Sequence, residues 1–205
     1  MQFAEAKLLQ GAVATDGVIW FWDVRRRKMF EVGEFIMCGG HGVCRVTAIT
    51  GNPIDKLDKK RKYYILEPVF EKGSTIYTPV DNEKVIMRRI MTKKDAKTLI
   101  ANIPEIETVW IQEEKTREQM YKEAIRTYDC HSLVRIIKTL YLRRKDRVQQ
   151  GKKVLSSDEH YLKKAEELLY SEMSIALAIP KEKVESYIST EIGKSARGNK
   201  IETRN

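Results

Sequence analysis

The chain lacks any run near the roughly 18–20 consecutive apolar residues that a membrane-spanning helix needs, so a helical membrane protein is excluded. Nor does "MQFAEAKLLQGAVATDGVIWFWDVRRRK" read as a signal peptide: Gln10, Asp16 and Asp23 break its apolar residues, and the basic cluster follows them. A cytoplasmic location is expected. Cysteine is scarce and odd in number, with Cys38, Cys44 and Cys130 only, so no disulfide framework is expected. Histidine is equally scarce, three in all, too few and too scattered to supply a general base with confidence. There is no G-x-S-x-G, no H-E-x-x-H and no EF-hand loop, so no catalytic residue, cofactor or metal site is assigned and the chain is not expected to be an enzyme. Cys38-x2-His41-x2-Cys44 offers at most three zinc ligands, without the second knuckle that would complete a tetrahedron. "CGGHG" (38–42) is glycine-rich, but it leads into a strand, whereas phosphate loops lead into a helix N-terminus. Acids are in deficit: 29 against 38 Lys and Arg, a net charge of +9, which favours a polyanionic partner without naming one.

What is present divides the chain into two patterns. Residues 1–28 show neither period nor caps and read as a loose extension, or as a basic arm through Arg25–Lys28. Residues 29–91 read as short strands: 30–37, 42–50 with Cys44, Val46 and Ala48 on one face, 62–70, 74–80 and 84–90. Glycines and Asn-Pro or Asp-Asn pairs supply the turns. Five short strands suit a small SH3-like or Tudor-like β-barrel. From Thr92 to residue 192 the period becomes helical. Thr92 is the expected N-cap of a first helix ended by Pro104, and a second helix is expected over 108–128. Asp129 caps a third, closed by Gly151, with Leu133, Val134, Ile136, Ile137, Leu140 and Tyr141 inside. Ser156 and Glu159 have capping-box spacing for a fourth, Pro180 fits the first turn of a fifth, and residues 193–205 are a polar tail. The fold class is α+β, a small barrel followed by an all-α domain.

Two features of the helical part stand out. Between His131 and Lys153 the charged residues are Arg135, Lys138, Arg143, Arg144, Lys145, Arg147, Lys152 and Lys153 against a single acid, Asp146. The preceding segment, 111–128, balances four acids with four bases. Positive charge is therefore gathered on one helix and its exit, as a phosphate-tracking surface requires, although a solvated helix face would look the same. Adjacent carboxylates such as Glu113-Glu114 and Glu166-Glu167 do not face each other and read as solvated. The second feature is Trp110, a large indole at the end of a linker after Pro104, Glu105 and Glu107. It either packs against Ile106 or Ile111 or is offered to a partner.

Taken in order, these pieces resemble the CarD/CdnL family of bacterial transcription regulators. The resemblance runs from about Met29 to Ile188 and rests on "MFEVGEFIMCGGHGVCRVTAI", "YYILEPVFEKGSTIYTPVDN", Trp110, "LVRIIKTLYLRRKDR" and "LSSDEHYLKKAEELLYSEMSIAL". It implies a Tudor-like RNA-polymerase-interacting domain, shared with the transcription-repair coupling factor, joined to a helical DNA-binding domain. It further implies docking of the barrel on the polymerase β subunit by strand-edge pairing, promoter DNA as second partner, and a tryptophan wedge that opposes collapse of the open complex. Trp110 matches the wedge, with Lys115 the nearest following base. Asn52, Thr75, Ile76, Tyr77 and Thr78 match the polymerase-facing rim, Tyr77 standing where some members carry Arg. No small-molecule substrate and a nucleoid-associated cytoplasmic location follow from the same resemblance. A protein-only adaptor and an RNA- or ribosome-associated module are the alternatives from other classes.

Overall fold

The computed structural model describes residues 29–51, 61–71 and 73–202, with side chains to Lys194. The extension 1–28 and Asn52 lie outside the described residues.

Five strands form one antiparallel sheet: β1 (Phe35–Cys38), β2 (Gly42–Thr50), β3 (Tyr63–Pro68), β4 (Ile76–Pro79) and β5 (Met87–Arg89). Their order is β4-β3-β2-β1-β5, so among the described residues β4 and β5 are the edges and no ladder joins them. Alternation places Ile36, Cys38, Cys44, Val46, Tyr64 and Leu66 in the sheet's core. The β2 alternation breaks after Val46, where a register shift against β3 inserts an extra residue. Ile49, and not the expected Ala48, then packs on that core. The last strand is shorter than the expected 84–90. The glycines of the β1–β2 turn have two different reasons. Gly40 has φ +88°, a left-handed conformation that suits glycine. Gly39 is a close approach: a Cβ there would stand 3.3 Å from both the Ile86 carbonyl and the Tyr128 ring.

Five helices follow: α1 (Lys93–Asn102), α2 (Glu114–Thr127), α3 (Cys130–Gln149), α4 (Ser156–Leu177) and α5 (Val184–Glu202). Thr92 caps α1 through a reciprocal box with Asp95, and the Asp129 carboxylate accepts from Ser132 N at the start of α3. Gly151, at φ +67°, follows α3 as expected. Three expectations change. The second helix begins at Glu114 and not near residue 108, leaving Trp110 on a non-helical segment. The α4 N-cap is Leu155, without a side-chain cap, and Ser156 is already helical. Pro180 precedes a short 3-10 turn, Lys181–Lys183, and α5 continues through Gly193 to Glu202, past the start of the expected tail. The helical core is built on Ile100, Tyr121, Leu133, Ile136, Leu140, Leu169 and Met173, each fully buried aliphatic contributing roughly 1.5–3 kcal/mol. Tyr141, expected inside, is 56% exposed.

Sheet and helices meet at a polar seam. Arg88 of β5 forms a two-pronged pair with Glu172 of α4, at 2.6 and 2.7 Å, and Glu172 is 0% exposed. Arg88 also donates to the Tyr128 carbonyl, and Glu172 accepts from Met91 N at 2.8 Å and from the Cys130 thiol. Across the same seam Gly40 N donates to the Tyr128 hydroxyl at 2.6 Å, while Tyr128 takes the left-handed cap position of α2. Burial disfavours the charged form of Arg88, yet the Glu172 carboxylate raises it above the ordinary guanidinium range. Burial, and then Glu172, pushes the Cys130 thiol up.

Candidate nucleic-acid interface

The segment between the 3-10 turn Ile103–Glu105 and α2 is held by one side chain distant in sequence, Thr139, and one close by, Arg117. Val109 N, just before the indole, donates to the buried Thr139 hydroxyl at 3.1 Å. Just after it, the carbonyls of Ile111 and Gln112 accept from Arg117 at 3.4 and 3.2 Å. A residue flanked by two such anchors cannot continue a helix, because its backbone bonds run sideways into α2 and α3.

Trp110 itself is 55% exposed. The Arg143 guanidinium lies 5.3 Å from its ring centroid, within cation–π range. Arg143 Nε bonds Asp158 at 3.2 Å, and the other oxygen of Asp158 stands 3.7 Å from Arg117 Nε, an ion-pair distance too long for a hydrogen bond. Asp158 is only 5% exposed. One buried carboxylate on α4 thus orients two arginines: Arg117 fixes the loop backbone and Arg143 supports the ring. Arg143 and Arg147 stand one turn apart on α3 and share a face. Together with Trp110, Gln112, Asp146, Gln150 and Lys152 they line a cleft of about 240 Å³.

The remaining expected contacts distribute unevenly. Arg135, Arg144 and Lys145 are exposed on α3 but do not line the cleft. Arg144 and Lys145 are rotated from Arg143 by about 100° and 200° around the helix. Lys152 and Lys153 follow α3, Lys153 giving its carbonyl to Arg147 Nε at 2.8 Å. Lys115 is exposed in the first turn of α2. Lys138 turns inward: its ammonium donates to the carbonyls of Ile103, Pro104 and Ile106, closing the end of the first helical segment. Burial lowers its pKa. On the sheet, Tyr77 is 38% exposed on edge strand β4 and Thr75 is exposed just before it. Ile76 packs on the sheet core, and the buried Thr78 hydroxyl accepts from Asn82.

Sequence reasoning missed Arg88, Arg117, Thr139, Asp158 and Glu172 of these networks. Glu172 left a trace, since it occupies the apolar stripe between Leu169 and Met173, where a carboxylate must find a partner. Asp158 left none, being read as part of a capping motif. Cys38 and Cys44 face each other in the sheet core, where the Cys38 contact and burial hold the Cys44 thiol above its ordinary range. Among the described residues no group of three His, Cys, Asp or Glu side chains could hold a metal ion, and no helix is long and apolar enough to cross a membrane.

Two family models match the chain. The CarD-like/TRCF RID domain covers residues 30–91, the five-stranded sheet with its turns, and the CarD C-terminal domain covers 97–189, from within α1 into α5. No curated protein matches the chain. The two matches stand in the order of the sheet and the helices and span most of the sequence, and the family is one of transcription factors, not enzymes. The chain belongs to the CarD-like family of RNA-polymerase-interacting transcription regulators.

Proposed function

We propose that the chain bridges the RNA polymerase β subunit and promoter DNA during initiation and slows collapse of the melted bubble. It works as two modules dividing near residue 91, the first closing toward a Tudor-like barrel and docking through its rim. β4 supports the docking half. It is an edge strand whose alternation sends Ile76 and Thr78 inward and leaves Thr75 and Tyr77 outward, so an extended partner strand has an edge to pair with. The observation that carries the DNA half is the half-exposed Trp110, fixed by backbone anchors on both sides and backed by a guanidinium. An apolar ring held rigidly at the surface beside cations suits insertion at a distorted base step. Arg147, Lys152 and Lys153 supply the phosphate contacts beside the ring, with Arg144, Arg135, Lys115 and Lys145 farther out. Lys138, bound to three carbonyls, is left out of this set. About five phosphate contacts correspond to a log–log salt slope near −4.5, weak binding that docking on the polymerase makes effective through local concentration.

The test is the lifetime of bacterial polymerase–promoter open complexes after challenge with competitor, with and without the full chain. The chain is expected to lengthen it several-fold. Tyr77→Pro, which removes an N–H from the β4 edge, is expected to abolish the effect while leaving affinity for free duplex unchanged. A lifetime indifferent to the chain rejects the reading.

A further inference from the structure

The joint between α2 and α3 is two residues long, Tyr128 and Asp129. Tyr128 closes α2 at φ +53°, the left-handed region where a Cβ is strained and where glycine or asparagine is the usual cap. The β1–β2 turn shows the reverse. Gly39 does not sit at positive φ, so an ordinary residue suits its backbone. Its Cβ would nevertheless stand 3.3 Å from the Tyr128 ring and the Ile86 carbonyl. A tyrosine thus occupies a position whose backbone favours glycine, and a glycine occupies one whose backbone does not require it. One contact accounts for both exceptions: the ring lies against Gly39, and the hydroxyl accepts from Gly40 N at 2.6 Å. Glycine at 128 would serve the end of α2 better, so the strain points to what the side chain does across the seam.

The other contacts of the seam define that role. Arg88 and Glu172 form one ion pair between sheet and helices, and a single pair acts as a pivot. The bonds to Met91 N and the Cys130 thiol involve the same Glu172 carboxylate. Lys181 lies 4.9 Å from the Phe70 ring centroid, but Phe70 is exposed, where such contacts are weak. Tyr128 engages both the pivot and a separate element. Its carbonyl accepts from Arg88, and its hydroxyl and ring meet the β1–β2 turn. A second point of attachment stops rotation about the first.

Resting on the bridging reading above, we infer that Tyr128 is a positioning residue for initiation. It fixes the angle between the docking sheet and the DNA-contacting helices, so that one orientation serves both partners. Binding either partner alone does not need a fixed angle. Binding both at once does, because the first contact raises the local concentration for the second only where the geometry admits both.

The experiment compares full-length Tyr128→Gly, Gly39→Ala and Tyr128→Phe with the parent. Three quantities are measured: affinity for duplex DNA at low salt, affinity for bacterial RNA polymerase without DNA, and the lifetime of open complexes. Tyr128→Gly relieves the left-handed backbone, which offsets the lost hydrogen bond, so it should melt near the parent. It is expected to keep both separate affinities within about twofold and to lose most of the lifetime extension. Gly39→Ala pushes the ring away from the opposite side and is expected to show the same split. Tyr128→Phe keeps the ring against Gly39 and is expected to recover part of the extension. A lifetime extension that survives in both Tyr128→Gly and Gly39→Ala overturns the positioning role. Losses of both separate affinities that match the loss of extension overturn it as well, since they mark general damage to the fold. A parent chain without any effect on lifetime rejects the bridging reading, and the positioning role falls with it.

Discussion

Two arginine–carboxylate networks lie in different parts of the molecule and end differently. At the seam, Arg88 and Glu172 spend their hydrogen-bonding capacity on each other, on backbone groups at Tyr128 and Met91, and on Cys130. At the Trp110 site, Asp158 is as deeply placed, but its arginines lead outward, one to the loop backbone and one to the indole. The same chemistry serves two ends. An ion pair closed on all sides fixes how two units face each other. An ion pair with one open end transmits that rigidity to a side chain at the surface. Burying charge adds little net stability in either case, but removing one partner from a buried pair is costly.

Removing a partner from each network separates these roles. Glu172→Ala leaves Arg88 beside an empty acceptor and is expected to destabilise the fold by about 3–5 kcal/mol, read by urea unfolding. It should also expose Cys130 to thiol reagents, since that thiol is now packed against Glu172. Asp158→Asn is expected to cost less, about 2–3 kcal/mol, because one oxygen still bonds Arg143. Its signature is local: faster amide exchange at Val109 and weaker DNA binding, with the seam intact. Equal loss of DNA binding in both variants at matched stability would erase the distinction drawn here.

Tyr121 gives the smallest effect. It is buried beside the Asp158 network, its hydroxyl has no hydrogen-bond partner, and burial, with Asp158 next, pushes its pKa up to about 12. The unfolded phenol ionises near 10, so unfolding releases a proton between these values and stability falls as pH rises from about 10 to about 12. Tyr121→Phe removes that contribution and relieves an unsatisfied group, for an expected gain of about 1 kcal/mol at neutral pH and a shallower alkaline decline in chemical denaturation.

Local chemistry made much of this fold legible. Thr92 and Asp129 announce their helices because an N-cap acts within its own turn. The α+β order follows from the change of period near residue 91. Where the sequence misled, the deciding partner was remote. The residues before Glu114 look helical, but Thr139, thirty residues on, takes the Val109 N–H and holds the chain otherwise. Ser156 and Glu159 have the spacing of a box, yet Asp158 of the same turn faces Arg143 and Arg117, and the helix starts one residue after Leu155. A bulge in β2 exchanged Ala48 for Ile49 on the core side. Lys138 counted as a free cation until three carbonyls, all more than thirty residues earlier, converged on it. At the candidate interface, sequence alone selected the indole and the cations. It could not show which cations reach the same cleft, because helical spacing gives a face and not a neighbour.

The central claim is that the chain presents one rigid indole to distorted DNA, and the lifetime of open complexes formed with Trp110→Ala tests it most directly. The exposed ring contributes little to folding, so thermal stability should stay within about 0.5 kcal/mol of the parent. The lifetime should fall at least about fivefold, the kinetic equivalent of roughly 1 kcal/mol of lost stacking. A folded Trp110→Ala protein that prolongs open complexes as well as the parent would contradict the account.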